Sequence, residues 1–527
     1  MTISSELHNL LPGRDLPGFL PENKLLPIGI AFLCILVATR LISGARGGSK
    51  RTPNGSTPPM PPYWLPFLGH IYGFLFNSES FLKWARRTYT DGVFSLNLGG
   101  TTHTIIFKPD LSGVFMNIKT EIGDFEHISK RLSITNFGFP ASEAEKYDEV
   151  LPELLAAYKH ITTNPGLSNL VDATIAALKS NINDLVSFSE SIVDQPQWER
   201  MANTYVVSKP DGEQVVEASL MALTRNFIAI TATPAFFGSD FVSNFPDYWK
   251  NLWNMDSAFG YLATGLPRWV PIPKLTRGHI ALRNMLQAQS QLETALEQEA
   301  SGEDPGADWS HLDDVGDLIK SRMSIYRNHG ISIRARASFE AALSWAMNAN
   351  ANPAVFWMLN HIYSDLTLLD ALRKEVAPYI HVARPKQEFA IPELPRLEHV
   401  DMEGLDTRCP LLKSAYIETL RHDVASWSPK LMRQDYTLSS KDKSVEKFLL
   451  KKGTYTHIAH ELHHKDPAYW IEPEVWKADR HVIYKTNDNG EKHKTAEMGT
   501  VRAYGKSLMY TIVEILILMT FFNRRRT

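Results

Sequence analysis

Residues Ser414–Trp427 read SAYIETLRHDVASW, and residues His463–Val482 read HHKDPAYWIEPEVWKADRHV. The apolar spacing around the first stretch predicts a helix over Leu411–Asp423. Glu418 and Arg421 stand three apart on it and share one face, where they can pair. On a solvated surface such a pair is common and contributes little. A buried, bidentate pairing with Glu418 would be a physical reason to use arginine rather than lysine at Arg421.

Working outward, Ser338–Leu366 forms one long helical pattern. It contains the cluster NANANP and then AVFWMLNHI, with Asn350, Pro353 and Trp357. A proline inside such a pattern kinks the helix and frees backbone carbonyls, for which the Asn350 amide is a candidate partner. Leu368–Tyr379 reads as a further amphipathic helix, Ser78–Tyr89 as another, and most of Leu151–Ile192 as helix interrupted near Pro165. Gly92–Phe107 alternates and predicts a hairpin that turns at Gly99 and Gly100. Short strands are expected in YTLSS and in FLLKKGTYTHIA, and Asp124–Phe139 and Asn244–Val270 read as loops. Helices dominate over a minor strand component.

Near the start, Leu25–Ile42 read LLPIGIAFLCILVATRLI, apolar except for Thr39 and Arg40. That length is close to the lower limit for crossing a bilayer. A buried core helix and a cleaved signal are the alternatives; the mixed residues ahead of the run fit a signal poorly. Arg40 near its end can snorkel to the headgroups. Arg40, Arg46, Lys50 and Arg51 follow the run, against Arg14 and Lys24 before it, which places the bulk of the chain in the cytosol. The next stretch, TPNGSTPPMPPYWLPFLGH, holds Pro58, Pro59, Pro61, Pro62 and Pro66, enough proline to stiffen an arm between anchor and body. The expected division is 1–24 lumenal, 25–42 anchor, 43–66 proline-rich arm, 67–522 body and 523–527 basic tail.

The 527 residues carry 55 Lys and Arg against 58 Asp and Glu, so no basic field points to a nucleic-acid partner. Two cysteines, Cys34 and Cys409, exclude a disulfide scaffold and suit a reducing compartment. No dinucleotide glycine fingerprint, phosphate-binding loop or serine-nucleophile elbow occurs, so nicotinamide and flavin binding are not expected.

The order of anchor, proline arm, kinked helix, E-x-x-R helix and D-P-x-x-W…P-E-x-W-x-x-D-R resembles the cytochrome P450 family over about Pro58 to Arg502. The resemblance implies a mostly α fold with a minor β lobe, haem as cofactor, and Glu418, Arg421 and Arg480 as a buried triad that locks the core. NANANP with its aromatic pair is similar to the sterol 7-hydroxylase and prostacyclin-synthase branch, in which Asn350 would replace the usual threonine of the oxygen-side helix. An amide holds water by hydrogen bonds but is a poor proton donor. An intact relative would oxidise a lipophilic sterol- or terpenoid-like substrate. It would draw electrons from NADPH-cytochrome P450 reductase and sit in the endoplasmic reticulum membrane facing the cytosol.

The family's haem loop ends in a cysteine whose thiolate ligates the iron. Here Val501–Thr527 read VRAYGKSLMYTIVEILILMTFFNRRRT. Tyr504 and Gly505 match the start of that loop, and Glu514, Ile515 and Leu516 match the helix after it. The segment between is several residues short and has no cysteine or second glycine. Tyr510 falls opposite the lost cysteine in one alignment, and tyrosine ligates haem iron elsewhere, yet the shortened loop denies it reach. Cys34 lies in the apolar run and Cys409 precedes the E-x-x-R helix, so neither substitutes. The chain is also expected to be truncated where the family continues. A misread gene, a decayed paralogue, and a P450-fold relic or partner-binding protein are the readings that follow.

A competing motif is HELHH at His460–His464. It matches the H-E-x-x-H of zinc hydrolases, with His460 and His464 as ligands and Glu461 as base. Glu472, Glu474 and Asp479 are candidates for a third ligand, without a recognisable pattern, and Lys465-Asp466-Pro467 ends any helix at once. His457 and His463 read as solvated or core histidines.

Overall fold

The computed structural model describes residues 22–383, 396–440, 442, 446–486 and 490–502. The chain divides into two compact units. The first comprises Met1–Asp124 with Trp427–Leu462, and the second Phe125–Ser426 with His463–Thr527.

In the first unit, helix α1 (Glu22–Arg46) extends past the apolar run at both ends. The stretch Leu26–Arg46 has none of its membrane-length window buried. Its 21 residues rise about 30 Å, the thickness of a hydrocarbon core. A second apolar helical stretch, Leu220–Phe237, is mostly buried and belongs to the protein core. Arg40 does not reach free into solvent: Nη1 donates to the Pro62 carbonyl and the guanidinium lies 5.3 Å from the Trp64 ring centroid. Ser43 Oγ accepts from Tyr63 N at 3.0 Å. The end of α1 is thus fastened to the proline-rich stretch. That stretch is also less uniform than proline content alone suggests. Arg51–Thr52 and Gly55–Ser56 form a small hairpin, and Ser56 pairs in parallel with Phe448.

The main sheet of this unit contains β1 (Val93–Leu98), β2 (Thr101–Ile106), β3 (Gly123–Asp124), β4 (Trp427–Met432) and β5 (Tyr455–Ala459), in the spatial order β1-β2-β5-β4-β3. Gly99 and Gly100 turn the β1–β2 hairpin at φ of 63° and 84°, which glycine adopts without steric cost. Strand alternation sorts the side chains. Phe94, Leu96 and Ile105 join one core with Leu82 and Leu462; Val93 and Ile106 join another with Leu111, Phe115 and Ile458.

The second unit is mainly helical. Helix α2 (Pro273–Ala300) packs on Tyr248–Ser257 and on α3 (Ile333–Ala349). Trp249, Leu252 and Met255 face Met285 and Leu292 in one buried cluster. Asp124–Phe139 and Asn244–Val270, expected as loops, are largely helical: Glu126–Phe137, Tyr248–Ser257 and Phe259–Ala263. Tertiary packing overrides their mixed composition, as where the Phe259 and Trp345 rings stack at 4.4 Å and 7°. The helical reading through Ile192 overshoots, since regular structure there ends at Asp184.

The long helical pattern is broken as its proline requires. Helix α3 ends at Ala349, and α4 (Ala351–Ser364) resumes after Asn350, at φ −99° and ψ −43°. Pro353 has no N–H to offer Ala349, four residues back, so the ladder is interrupted at that turn. Helix α5 (Leu366–Val376) starts at Asp365, whose carboxylate caps Thr367 N and Leu368 N. Helix α6 (Pro410–His422) carries the E-x-x-R motif.

Candidate functional site

Helix α6 begins with proline at its first position, and Leu411 N and Leu412 N donate to the Glu375 carboxylate. Apolar neighbours Leu412, Ala415, Ile417 and Leu420 pull the helix into the core, and Glu418 and Arg421 go with it. Both side chains are fully buried. Arg421 donates from Nε to Glu418 Oε2 at 2.7 Å and from Nη2 to Oε1 at 2.8 Å. Its Nη1 donates to the carbonyls of His464, at 2.6 Å, and Pro473, at 2.9 Å. The guanidinium also lies 5.4 Å from the Trp470 ring centroid.

Arg480 completes the set that the sequence singled out. Its Nε donates to Glu418 Oε1 at 2.9 Å. Its remaining nitrogens donate to the carbonyls of Ile471, Glu472 and Val475, at 2.6, 3.2 and 2.7 Å. Sequence reading missed two further partners of Glu418. Lys477 N donates to Oε1 at 3.0 Å, and His481 Nε2 lies 3.2 Å from Oε2. No side-chain pattern could have announced the first, because it is a backbone group. Burial opposes the Glu418 charge, but Arg421, His481 and Arg480 outweigh it and hold the carboxyl at about 2.

HELHH is one helical turn at the end of β5. His460 Nε2 lies 2.9 Å from Ser428 Oγ, and Glu461 accepts from Trp427 Nε1 at 2.9 Å. His464 Nε2 accepts from Arg502 N at 3.2 Å, and His463 Nε2 lies 2.9 Å from Thr500 Oγ1. The last two contacts tether the segment that leads toward Tyr504. Among the described residues, the only group of three side chains placed to share a metal is elsewhere, at His361, His422 and Asp423. His463 and His464 are buried, and His457 is held neutral by burial and by His103, its pKa lowered to about 3.

No protein-family model matches the chain. Mouse cytochrome P450 7B1 is 24% identical over 509 residues, which cover 94% of this chain and 90% of the relative. Human 7-alpha-hydroxycholest-4-en-3-one 12-alpha-hydroxylase is 24% identical over 446 residues, 82% of this chain and 76% of that one. The solved structure of retinoic acid bound cyanobacterial CYP120A1 superposes with a TM-score of 0.58 at 14% identity, covering 88% of this chain and 91% of that one. The chain has the cytochrome P450 fold. Its curated relatives are cytochromes P450, and the sterol 7-hydroxylase-like branch fits them.

Within this P450-fold chain Asn350 is exposed at the helix junction, whereas Asn348 and Asn352 on either side are buried. Asn348 Nδ2 donates to Ser344 O at 2.9 Å, one turn back within α3 and ahead of the break. Tyr504, Gly505, Tyr510 and Glu514 lie outside the described residues.

The donor set does not fit a haem-thiolate. Cys409 is buried at the start of α6 with Sγ 3.7 Å from the Glu375 carbonyl, and Cys34 is exposed on α1.

Proposed function

We propose that this P450-fold protein descends from sterol-oxidising monooxygenases and does not itself perform haem-thiolate oxygenation as its sequence is written. The observation that carries the reading is the stretch after Arg502, where AYGKSLMYTIVEIL contains no cysteine. A P450 needs a thiolate there to push electron density toward O–O cleavage. Tyr504 and Gly505 are the remnant of the haem loop in this reading, and Tyr510 does not replace the missing ligand.

The Glu418, Arg421 and Arg480 set is the family's structural lock, held here with its hydrogen bonds satisfied. That supports a folded protein rather than a collapsed remnant. Asn350 marks the oxygen-side helix. Intact relatives would use haem, dioxygen and NADPH-cytochrome P450 reductase on a lipophilic sterol- or terpenoid-like substrate. The apolar α1 supports anchoring in the endoplasmic reticulum membrane, with the body in the cytosol.

Haem content of the purified full-length chain tests this. Less than stoichiometric haem, with a cooperative unfolding transition, supports the reading; one haem per chain with a thiolate spectrum overturns it. Sequencing the transcript across Arg502–Glu514 tests the premise, because an encoded glycine–cysteine loop would replace it with an ordinary monooxygenase.

A further inference from the structure

His361 lies in the last turn of α4, and His422 is the final residue of α6, followed by Asp423. Nε2 of His361 is 3.0 Å from Asp423 Oδ2, and Nδ1 of His422 is 2.9 Å from Asp423 Oδ1. One ligand atom from each residue falls within 4.8 Å of the other two. A tetrahedral ion about 2.0–2.1 Å from each ligand separates its ligand atoms by about 3.3 Å, so small side-chain movements suffice. The side chains of His361, His422 and Asp423 are 21%, 18% and 9% exposed, so the group is only partly covered.

Two contacts orient the rings. The Trp476 ring lies parallel to His361, with centroids 4.6 Å apart and planes 8° apart, and Trp476 Nε1 donates to Thr419 Oγ1 at 3.1 Å. Nε2 of His422 lies 3.0 Å from the Glu474 carbonyl. A carbonyl only accepts, so that nitrogen carries the proton. Nδ1, on the other side of the ring, faces Asp423 Oδ1, so the neutral tautomer offers its lone pair on the side of the carboxylate and His361. Metal-ligating histidines are commonly fixed in this way, the far nitrogen donating to a carbonyl. The site also stands at the C-terminal end of α6, where the helix carbonyls favour positive charge.

We propose that His361, His422 and Asp423 bind one divalent transition-metal ion of the zinc class, with water as fourth ligand. Two imidazoles and a carboxylate form a donor set suited to zinc rather than to calcium or magnesium. The ion joins the end of α4 to the end of α6, one turn beyond Glu418. Binding to the folded state alone raises stability in proportion to occupancy.

The experiment uses the full-length chain in detergent, with any affinity tag removed and metal stripped by chelation. Equilibrium dialysis against Zn²⁺ should give one ion per chain. His361→Ala and Asp423→Asn should each weaken binding by about 100-fold or more, beyond the 10–100-fold lost with outer-shell partners. His460→Ala, which removes the HELHH histidine, should leave binding unchanged. No stoichiometric Zn²⁺ on the unmodified chain, or full binding by His361→Ala, overturns the proposal. If the variants lose their cooperative melt, Co²⁺ on the unmodified chain decides. Intense four-coordinate d–d bands without thiolate charge transfer support the site, and only weak six-coordinate bands overturn it.

Discussion

Glu418 and Arg421 meet fork to fork, two N–H groups on two carboxylate oxygens at 2.7 and 2.8 Å, with neither side chain exposed to solvent. A buried ion pair of this kind does not stabilise simply by existing, because desolvation offsets the Coulomb attraction. It works here because the leftover donors and acceptors are used. Arg421 takes the His464 and Pro473 carbonyls, while Glu418 accepts from Arg480 and Lys477 N. The segment 463–481 is thereby folded around two side chains of one helix.

Breaking one partner leaves the other charged and buried. Glu418→Ala and Arg421→Ala are each expected to lose about 3–5 kcal/mol of folding stability. Arg421→Lys should recover only part of that loss, since one ammonium cannot serve two carboxylate oxygens and two carbonyls at once. Denaturant unfolding followed by circular dichroism checks both. A loss below about 1 kcal/mol for either alanine variant would mean that the set is not a lock.

The same carboxylate sets an acid limit. Its folded value of about 2 lies below the ordinary 4.5. The stabilisation is therefore complete above about pH 4.5 and is lost as pH falls toward 2, amounting to roughly 3 kcal/mol. Stability measured from pH 6 to 3 should drop with a slope that Glu418→Gln flattens. An unchanged slope in that variant would assign the acid sensitivity elsewhere.

Glu293, on α2, has the opposite sign. Burial first, and then the neighbouring Glu340 carboxylate, push it up to about 8, and both its oxygens lack a hydrogen-bond partner. This environment favours the neutral acid over the carboxylate. A raised carboxyl contributes no penalty below about pH 4.5 and an increasing one as pH rises toward 8, because the unfolded chain loses its proton first. Glu293→Gln should leave stability at pH 5 within about 1 kcal/mol and reduce its decline between pH 5 and 8. Chemical denaturation at the two pH values measures this. A variant that declines as steeply as the parent would show that Glu293 is ionised in the fold.

Helix α1 is expected to carry the membrane attachment. Removing residues through Arg46 should move the protein from the carbonate-resistant membrane fraction into the soluble or peripheral fraction. Retention in the resistant fraction would locate an integral span elsewhere, with Leu220–Phe237 the stretch to re-examine.

The parts of the fold written in short-range code were legible. The Gly99-Gly100 turn, the proline break near Asn350 and the Glu418–Arg421 spacing each follow from local stereochemistry. Arg480 was found through the order of motifs rather than from any local signal. What escaped was set by long-range packing. The helices at Glu126–Phe137 and Tyr248–Ser257 owe their form to burial against partners far away in the chain, and His481 joins Glu418 from 63 residues on. HELHH was a literal match weighed as the lesser reading, and in the fold it is one helical turn whose His464 accepts the Arg502 backbone N–H. The Asn350 assignment rests on family pattern, and the exposure of that side chain gives it no partner-based support.

The most direct measurement of the central claim is the reduced, carbon monoxide-bound difference spectrum of the purified full-length chain, expressed with haem in excess. With no cysteine between Gly505 and Glu514, the spectrum should lack the haem-thiolate band, and any bound haem should show a non-thiolate spectrum. A full thiolate band from protein whose mass matches this sequence would contradict the account.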